Sequence, residues 1–255
     1  MKLKLSGRSR RGRGGLWMGA GILVVALLAT AAETTANNHP IQSMFAPGLK
    51  DLSLTTVRKE IHIEELNKIS RDYANAYRIG RSKVMLKEPD KFRMDARVGF
   101  VKFEYVMNGP RKVIRTPLTK QFDDIGTDPG KRLGPLEVGL VTPGALIGYD
   151  VEHVGCSTEE GRRVCEYKLY YAHNHERYEL VWIDAERKCV KKRRLYTLMY
   201  GKYKMELTYS APKQVGNLWI PTVIEVRNAE GKLAGITHQQ EIKLNPGLDD
   251  SLFKL

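Results

Sequence analysis

His173 and His175 are the residues with the most direct chemical potential in this sequence. In an extended segment an H-x-H pair puts both imidazoles on one face, where they can share a metal ion. They flank Asn174 at a turn between two strand-like runs, and no third ligand lies close in sequence, which favours a solvated turn. His175-Glu176 is followed by Arg177-Tyr178-Glu179, so the second histidine of a zinc-protease H-E-x-x-H is missing. The other histidines, His39, His62, His153 and His238, stand singly, and no G-x-S-x-G or P-loop occurs. The sequence therefore signals no catalytic set, no metal and no cofactor, and the expectation is a protein that is not an enzyme.

The cysteines offer structure before reactivity. Cys156 and Cys165 flank the polar run Ser157–Val164, where they could face each other across a hairpin and form a disulfide. Cys189 is then left over as a buried thiol. No C-x-x-C is present, so neither a redox motif nor a zinc knuckle is indicated.

The densest charge lies at Arg187–Arg194, with six basic residues in eight. In a strand, Lys191, Lys192, Arg193 and Arg194 project to both faces. Unpaired charge is costly to bury, so the expectation is a strand end standing beyond the core, either simply solvated or forming a basic rim for an anionic partner.

These residues have to be positioned by a sheet. Tyr178, Leu180 and Trp182 alternate with Glu179, Val181 and Ile183, and the polar turn Asp184–Arg187 leads into a second extended run. Phe92, Met94, Ala96 and Val98 repeat the alternation, as do Val101, Phe103 and Tyr105 before the turn Asn108-Gly109. Further strands are predicted at 149–156, 164–172, 203–210, 218–226 and 236–244, with Pro221 at an edge or bulge. This cadence points to an antiparallel sandwich or barrel and away from βαβ units. Asp51–Tyr77 has apolar residues three and four apart and is predicted as a helix capped by Ser53 or Thr55, although Glu60–Glu64 alternates like a strand. Thr119–Gly148, with six glycines and three prolines, is predicted as a long connection with a short helix near Leu136–Leu140.

Several strands carry large apolar side chains on what reads as one face: Phe92, Met94, Phe103, Tyr105, Tyr178, Leu180, Trp182 and Met205. They are the expected lining of an apolar cavity or, equally, a filled core.

Six of the 42 basic residues and no acidic one lie in Met1–Gly15, and Leu16–Ala32 is apolar or small, with Ala29-Thr30-Ala31 as a cleavage site. The order is that of a secretory signal peptide over residues 1–31; an uncleaved inner-membrane anchor is the alternative, because the run of about 17 residues approaches the roughly 20 of a spanning helix. Removing it lowers the net charge from +13 to +7, so much of the basicity is address. A basic exported surface suits anionic lipid or acidic partners before nucleic acid. Residues 32–50 read as a flexible N-terminus and 51–255 as one domain.

The segment Lys87–Arg93, the hairpin Trp182–Tyr196, Trp219-Ile220-Pro221-Thr222 and the ending Asn245–Phe253 resemble the periplasmic lipoprotein carriers of the LolA/LolB type, and more closely the group of outer-membrane lipoprotein-sorting proteins. The resemblance implies an incomplete antiparallel β-barrel, a curved sheet covered by a helical lid, enclosing an apolar cavity. It implies a monomeric, periplasmic carrier that passes the acyl chains of lipoproteins or lipids between inner- and outer-membrane sorting partners, with Thr119–Gly148 as lid or mouth. Glu88 stands where such carriers often have an arginine that holds the lid closed. A related fold serves as an envelope-stress sensor, so a protein-interaction module is the alternative function.

Overall fold

A computed structural model of the chain describes residues 39–197 and 203–255. The proposed signal peptide lies outside the described residues. The first half of the domain contains β1 (Asp51–Ile61), α1 (Ile63–Ile69), α2 (Arg71–Ala76), β2 (Arg81–Lys87), β3 (Lys91–Val98), β4 (Val101–Asn108), β5 (Arg111–Arg115) and β6 (Lys120–Asp124). The second half contains β7 (Tyr149–Glu159), β8 (Arg162–Tyr171), β9 (Asn174–Asp184), β10 (Cys189–Tyr196), β11 (Tyr203–Ser210), the small hairpin β12 (Lys213–Val215) and β13 (Leu218–Ile220), then β14 (Val223–Asn228) and β15 (Leu233–Leu244).

Thirteen of these strands form one antiparallel sheet in the order β6-β5-β4-β3-β2-β1-β15-β14-β11-β10-β9-β8-β7. The chain meanders outward from β1 to one edge at β6, starts again at the other edge with β7, and meanders back until β15 pairs with β1. The edges β6 and β7 do not pair, so the barrel is incomplete. The sheet must nevertheless curve strongly. Five strand spacings separate β1 from β9, about 24 Å on a flat sheet, yet Thr56 of β1 and Glu179 of β9 line one cavity.

This topology explains the Gly/Pro-rich connection. Residues 125–148 return from one edge of the sheet to the other across its concave side. Ile125, Val138 and Leu140 join the apolar cluster of β1–β4, while Leu136 and Val141 join that of β8–β11, β14 and β15. Short 3-10 turns at Pro129–Lys131, Pro135–Val138 and Gly144–Leu146 replace the single helix expected near Leu136–Leu140. The crossing is fixed by hydrogen bonds. Tyr209 Oη donates to the Leu136 carbonyl at 2.9 Å, Gln239 Nε2 to that of Val138 at 3.1 Å, and the Val190 amide to that of Gly139 at 2.9 Å.

Two expectations are corrected. Asp51–Ile61 is a strand, not the start of a helix: its β-branched Thr55, Thr56 and Val57 lie in the middle of the sheet, and ladder bonds to β2 and β15 outweigh a helical spacing that propensity did not support. Ser70 caps a helix instead, accepting from the Tyr73 amide at 3.1 Å. The stretch 39–50 is not loose in the described part, because Ile41, Met44 and Ala46 are buried against the core and the Ala46 amide donates to the Val141 carbonyl.

Candidate functional site

The inner face of the sheet, α2 and the crossing segment border two adjoining, half-open hollow lobes of about 290 and 310 Å³. Both are lined by Thr56, Tyr73, Tyr77, Leu133, Glu137 and Thr237. The helix α2 supplies Tyr73, and its C-cap residue Tyr77, still in helical conformation, follows four positions on, so both rings descend from one face. Tyr77 can lie on the sheet because β15 carries Gly235 beneath it: a Cβ there would come within 2.4 Å of the ring.

The first lobe is apolar, with Val84, Phe92, Met94 and Val138 in its wall. The second is walled by Met205, Leu207, Ile224 and Val226, but its floor is charged. Arg193 directs Nε and Nη2 at Glu179 Oε2, at 3.1 and 2.7 Å. Glu179 Oε1 accepts from the hydroxyls of Tyr149 at 2.7 Å and Tyr171 at 3.3 Å. Arg193 Nη1 reaches Tyr209 Oη and Glu137 Oε1, each at 3.4 Å. The side chains of Arg193 and Glu179 are 6% and 3% exposed, whereas that of Glu137 is 36% exposed. Because Glu137 lines both lobes, that exposure includes surface facing the cavity. Burial pushes the Glu137 carboxyl above the usual range against the pull of Arg193. Burial works most strongly against the Arg193 charge, but Glu179, Tyr209, Glu137 and Tyr149 together outweigh it and hold the guanidinium well above its ordinary value.

Of the residues expected to line a cavity, Phe92, Met94 and Met205 do so. Tyr105 is buried edge-on to Phe92, and Phe103 packs on the same cluster. Tyr178, Leu180 and Trp182 are on the opposite face of the sheet, a correction to the reading of β9. Their alternates Glu179, Val181 and Ile183 are the buried set. On the outer face Lys168 lies 4.1 Å from the centroid of Tyr178 and Lys192 the same distance from that of Trp182, while Tyr178 stacks on Tyr196 at 4.6 Å. Aromatic rings covered by lysine stems make a stable half-wet surface. The alternation of β9 was legible, but choosing the aromatic set as the inner one reversed the strand.

The basic rim is corrected at Arg193. A bulge at Lys191, where two residues of β10 face one step of β9, shifts the alternation. Val190 and Ile183 face inward, and after the extra residue Arg193 and Val181 do. Lys191, Lys192 and Arg194 are half-buried outside the core; Lys191 pairs with Glu159 at 3.2 Å, and Arg194 pairs with Glu206. Glu179, Glu137, Tyr73 and Tyr77 are the site residues that sequence reasoning missed, and Arg193 is the one it placed on the rim instead of in the interior. A glutamate alternating with Val181 and Ile183 was the available signal for a compensated interior charge.

Cys156 and Cys165 lie opposite each other in the β7–β8 ladder and are joined at 2.02 Å. His153 lies close, with Nε2 at 3.4 Å from Cys156 Sγ, but the disulfide leaves no thiolate to bind a metal. His175 Nε2 is 2.6 Å from Asp150 Oδ2 on the exposed surface. Cys189 is buried, and burial pushes its thiol up to about 12. We therefore expect no thiol to react with a maleimide in the native protein at neutral pH, and one per chain after denaturation without reductant, read by thiol titration.

Glu88 fastens the crossing segment to the β2–β3 turn. Its Oε1 accepts from Thr142 Oγ1 at 2.8 Å and its Oε2 from the Gly144 amide at 3.2 Å. Gly144 is required there, since a Cβ would fall 1.6 Å from the Pro89 carbonyl oxygen. Burial raises the Glu88 carboxyl from 4.5, against these two hydrogen bonds. The native state then holds this proton more tightly than the unfolded chain does. The resulting stability is complete below pH 4.5 and is lost as pH rises through the raised value. Urea unfolding across that window should show wild type losing stability with rising pH relative to Glu88→Gln.

No family model matches the sequence, and no curated protein matches it. Solved structures do. An outer membrane lipoprotein-sorting protein domain from Vibrio parahaemolyticus superposes with a TM-score of 0.54 at 14% identity, covering 84% of this chain and 92% of that one. A LolA superfamily protein from Nitrosomonas europaea superposes with a TM-score of 0.52 at 14% identity, covering 84% and 93%. The fold is LolA-like. A DUF1329 family protein from Desulfovibrio piger shares it, with a TM-score of 0.53 at 10% identity over 82% and 91%. The two hollows lie on the concave side of this LolA-like sheet.

Proposed function

We propose that the chain is a periplasmic, non-enzymatic carrier that takes acyl chains of lipoproteins or lipids into the two-lobed cavity and hands them on towards the outer membrane. The observation that carries this reading is the hollow between sheet and α2, walled by Val84, Phe92, Met94, Met205, Ile224 and Val226. Apolar space of this size is a favourable destination for hydrocarbon leaving water. The cover over it is slight: α2 is six residues long, so its displacement exposes little backbone. The lipoprotein-sorting description of the Vibrio domain agrees with this cargo. An interaction module working through the basic strand is less well supported, because Arg193 is interior and Lys191 and Arg194 are already ion-paired.

Uptake of a dansylated fatty acid tests the proposal. Saturable, blue-shifted emission at one probe per chain is expected; emission that rises only in proportion to probe concentration would refute it.

A further inference from the structure

The charged floor of the second lobe bears on which amphiphile the cavity accepts. Arg193 is the obvious anchor for an anionic headgroup, but four of its five N–H groups already point at partners. Nε and Nη2 are on Glu179, and Nη1 faces Tyr209 and Glu137. Two other arginines border the lobes, and each gives one nitrogen to the backbone: Arg132 Nη1 to the carbonyls of Gly109 and Gly126, Arg58 Nη1 to that of Tyr77. Glu179 is likewise enclosed by Arg193, Tyr149 and Tyr171. Glu137 differs. Its Oε2 accepts from the Gly134 amide at 2.7 Å, and its Oε1 has only the long contact to Arg193 and lone-pair capacity to spare. It is the most exposed member of the three and stands where the lobes meet.

Its surroundings suit a cation. Tyr73, Tyr77 and Tyr171 line the lobe that Glu137 borders, and tyrosine faces attract ammonium groups. With Glu179 matched to Arg193, Glu137 is a second carboxylate on the same guanidinium, and burial already disfavours its charge. A ligand ammonium beside Glu137 would supply a second counter-charge, while a ligand carboxylate or phosphate there would face two carboxylates with a single Nη2 hydrogen left on Arg193.

We propose that Glu137 is a headgroup-recognition residue and that the cavity selects amphiphiles carrying a primary amine, with the hydrocarbon in the lobe of Phe92 and Met94 and the ammonium against Glu137 beneath the tyrosines. This inference rests on the carrier reading and specifies its substrate class.

Displacement of the bound dansylated probe by dodecylamine, dodecanol and dodecanoate at neutral pH tests it on the full chain. The amine should displace at about tenfold lower concentration than the alcohol, with the carboxylate weakest. Glu137→Gln, which keeps an acceptor for the Gly134 amide, should bring amine and alcohol within about twofold of each other. Alcohol or carboxylate displacing as well as amine from wild type would overturn the inference and leave the carrier reading standing. An amine preference that survives Glu137→Gln would overturn the role of Glu137. Failure of both the dansylated fatty acid and an alkylamine dansylated at its far end to bind would remove both readings.

Discussion

Replacing Arg193 by methionine should destabilise the protein by about 3–5 kcal/mol, because it leaves the Glu179 carboxylate buried with only two tyrosine hydroxyls. That is a large share of the roughly 5–15 kcal/mol that holds a typical domain folded. The same change at Lys192 or Arg194, on the outer face, should cost no more than about 1 kcal/mol. Urea unfolding of the three variants checks this ranking. A double variant, Glu179→Gln with Arg193→Met, should recover part of the loss, since no uncompensated charge remains inside. Equal small effects at all three positions would mean that Arg193 belongs to a solvated rim and that the bulge at Lys191 does not turn it inward.

The second large effect concerns binding. Thr237 borders both lobes from β15. Thr237→Trp would place an indole in the hollow where they join. Affinity for the dansylated fatty acid should fall by at least about tenfold. Stability should change by less than the ~1–3 kcal/mol that overpacking costs in a filled core, because the added volume has space to occupy. Undiminished probe uptake by a folded Thr237→Trp protein would place the ligand elsewhere.

Much of the sheet could be read from the sequence because its alternation is local. Phe92, Met94 and Ala96 identify β3, and the turn residues Asn108-Gly109 separate β4 from β5. Three features could not be read this way. In Asp51–Ile61 the apolar spacing fits a helix, and pairing with β2 and with β15, nearly two hundred residues away, makes it a strand. In Lys120–Asp124 a short polar sequence becomes an edge strand because β5 offers it a partner. In Arg187–Arg194 one inserted residue exchanges the inner and outer faces, so a basic run that looked solvated delivers one arginine to the interior. The site suffers most from this last effect. Its defining group joins Glu137 of the crossing segment to Glu179 of β9 and Arg193 of β10, and no spacing within any one segment announces that meeting.

The central claim is that the concave side of this LolA-like sheet receives acyl chains. Native mass spectrometry of the protein mixed with a synthetic diacylated lipopeptide, alongside the same peptide without its acyl chains, tests that claim most directly. A one-to-one complex with the acylated peptide and none with the bare peptide is the predicted result. Unliganded protein in both samples, or equal binding of both peptides, would contradict it.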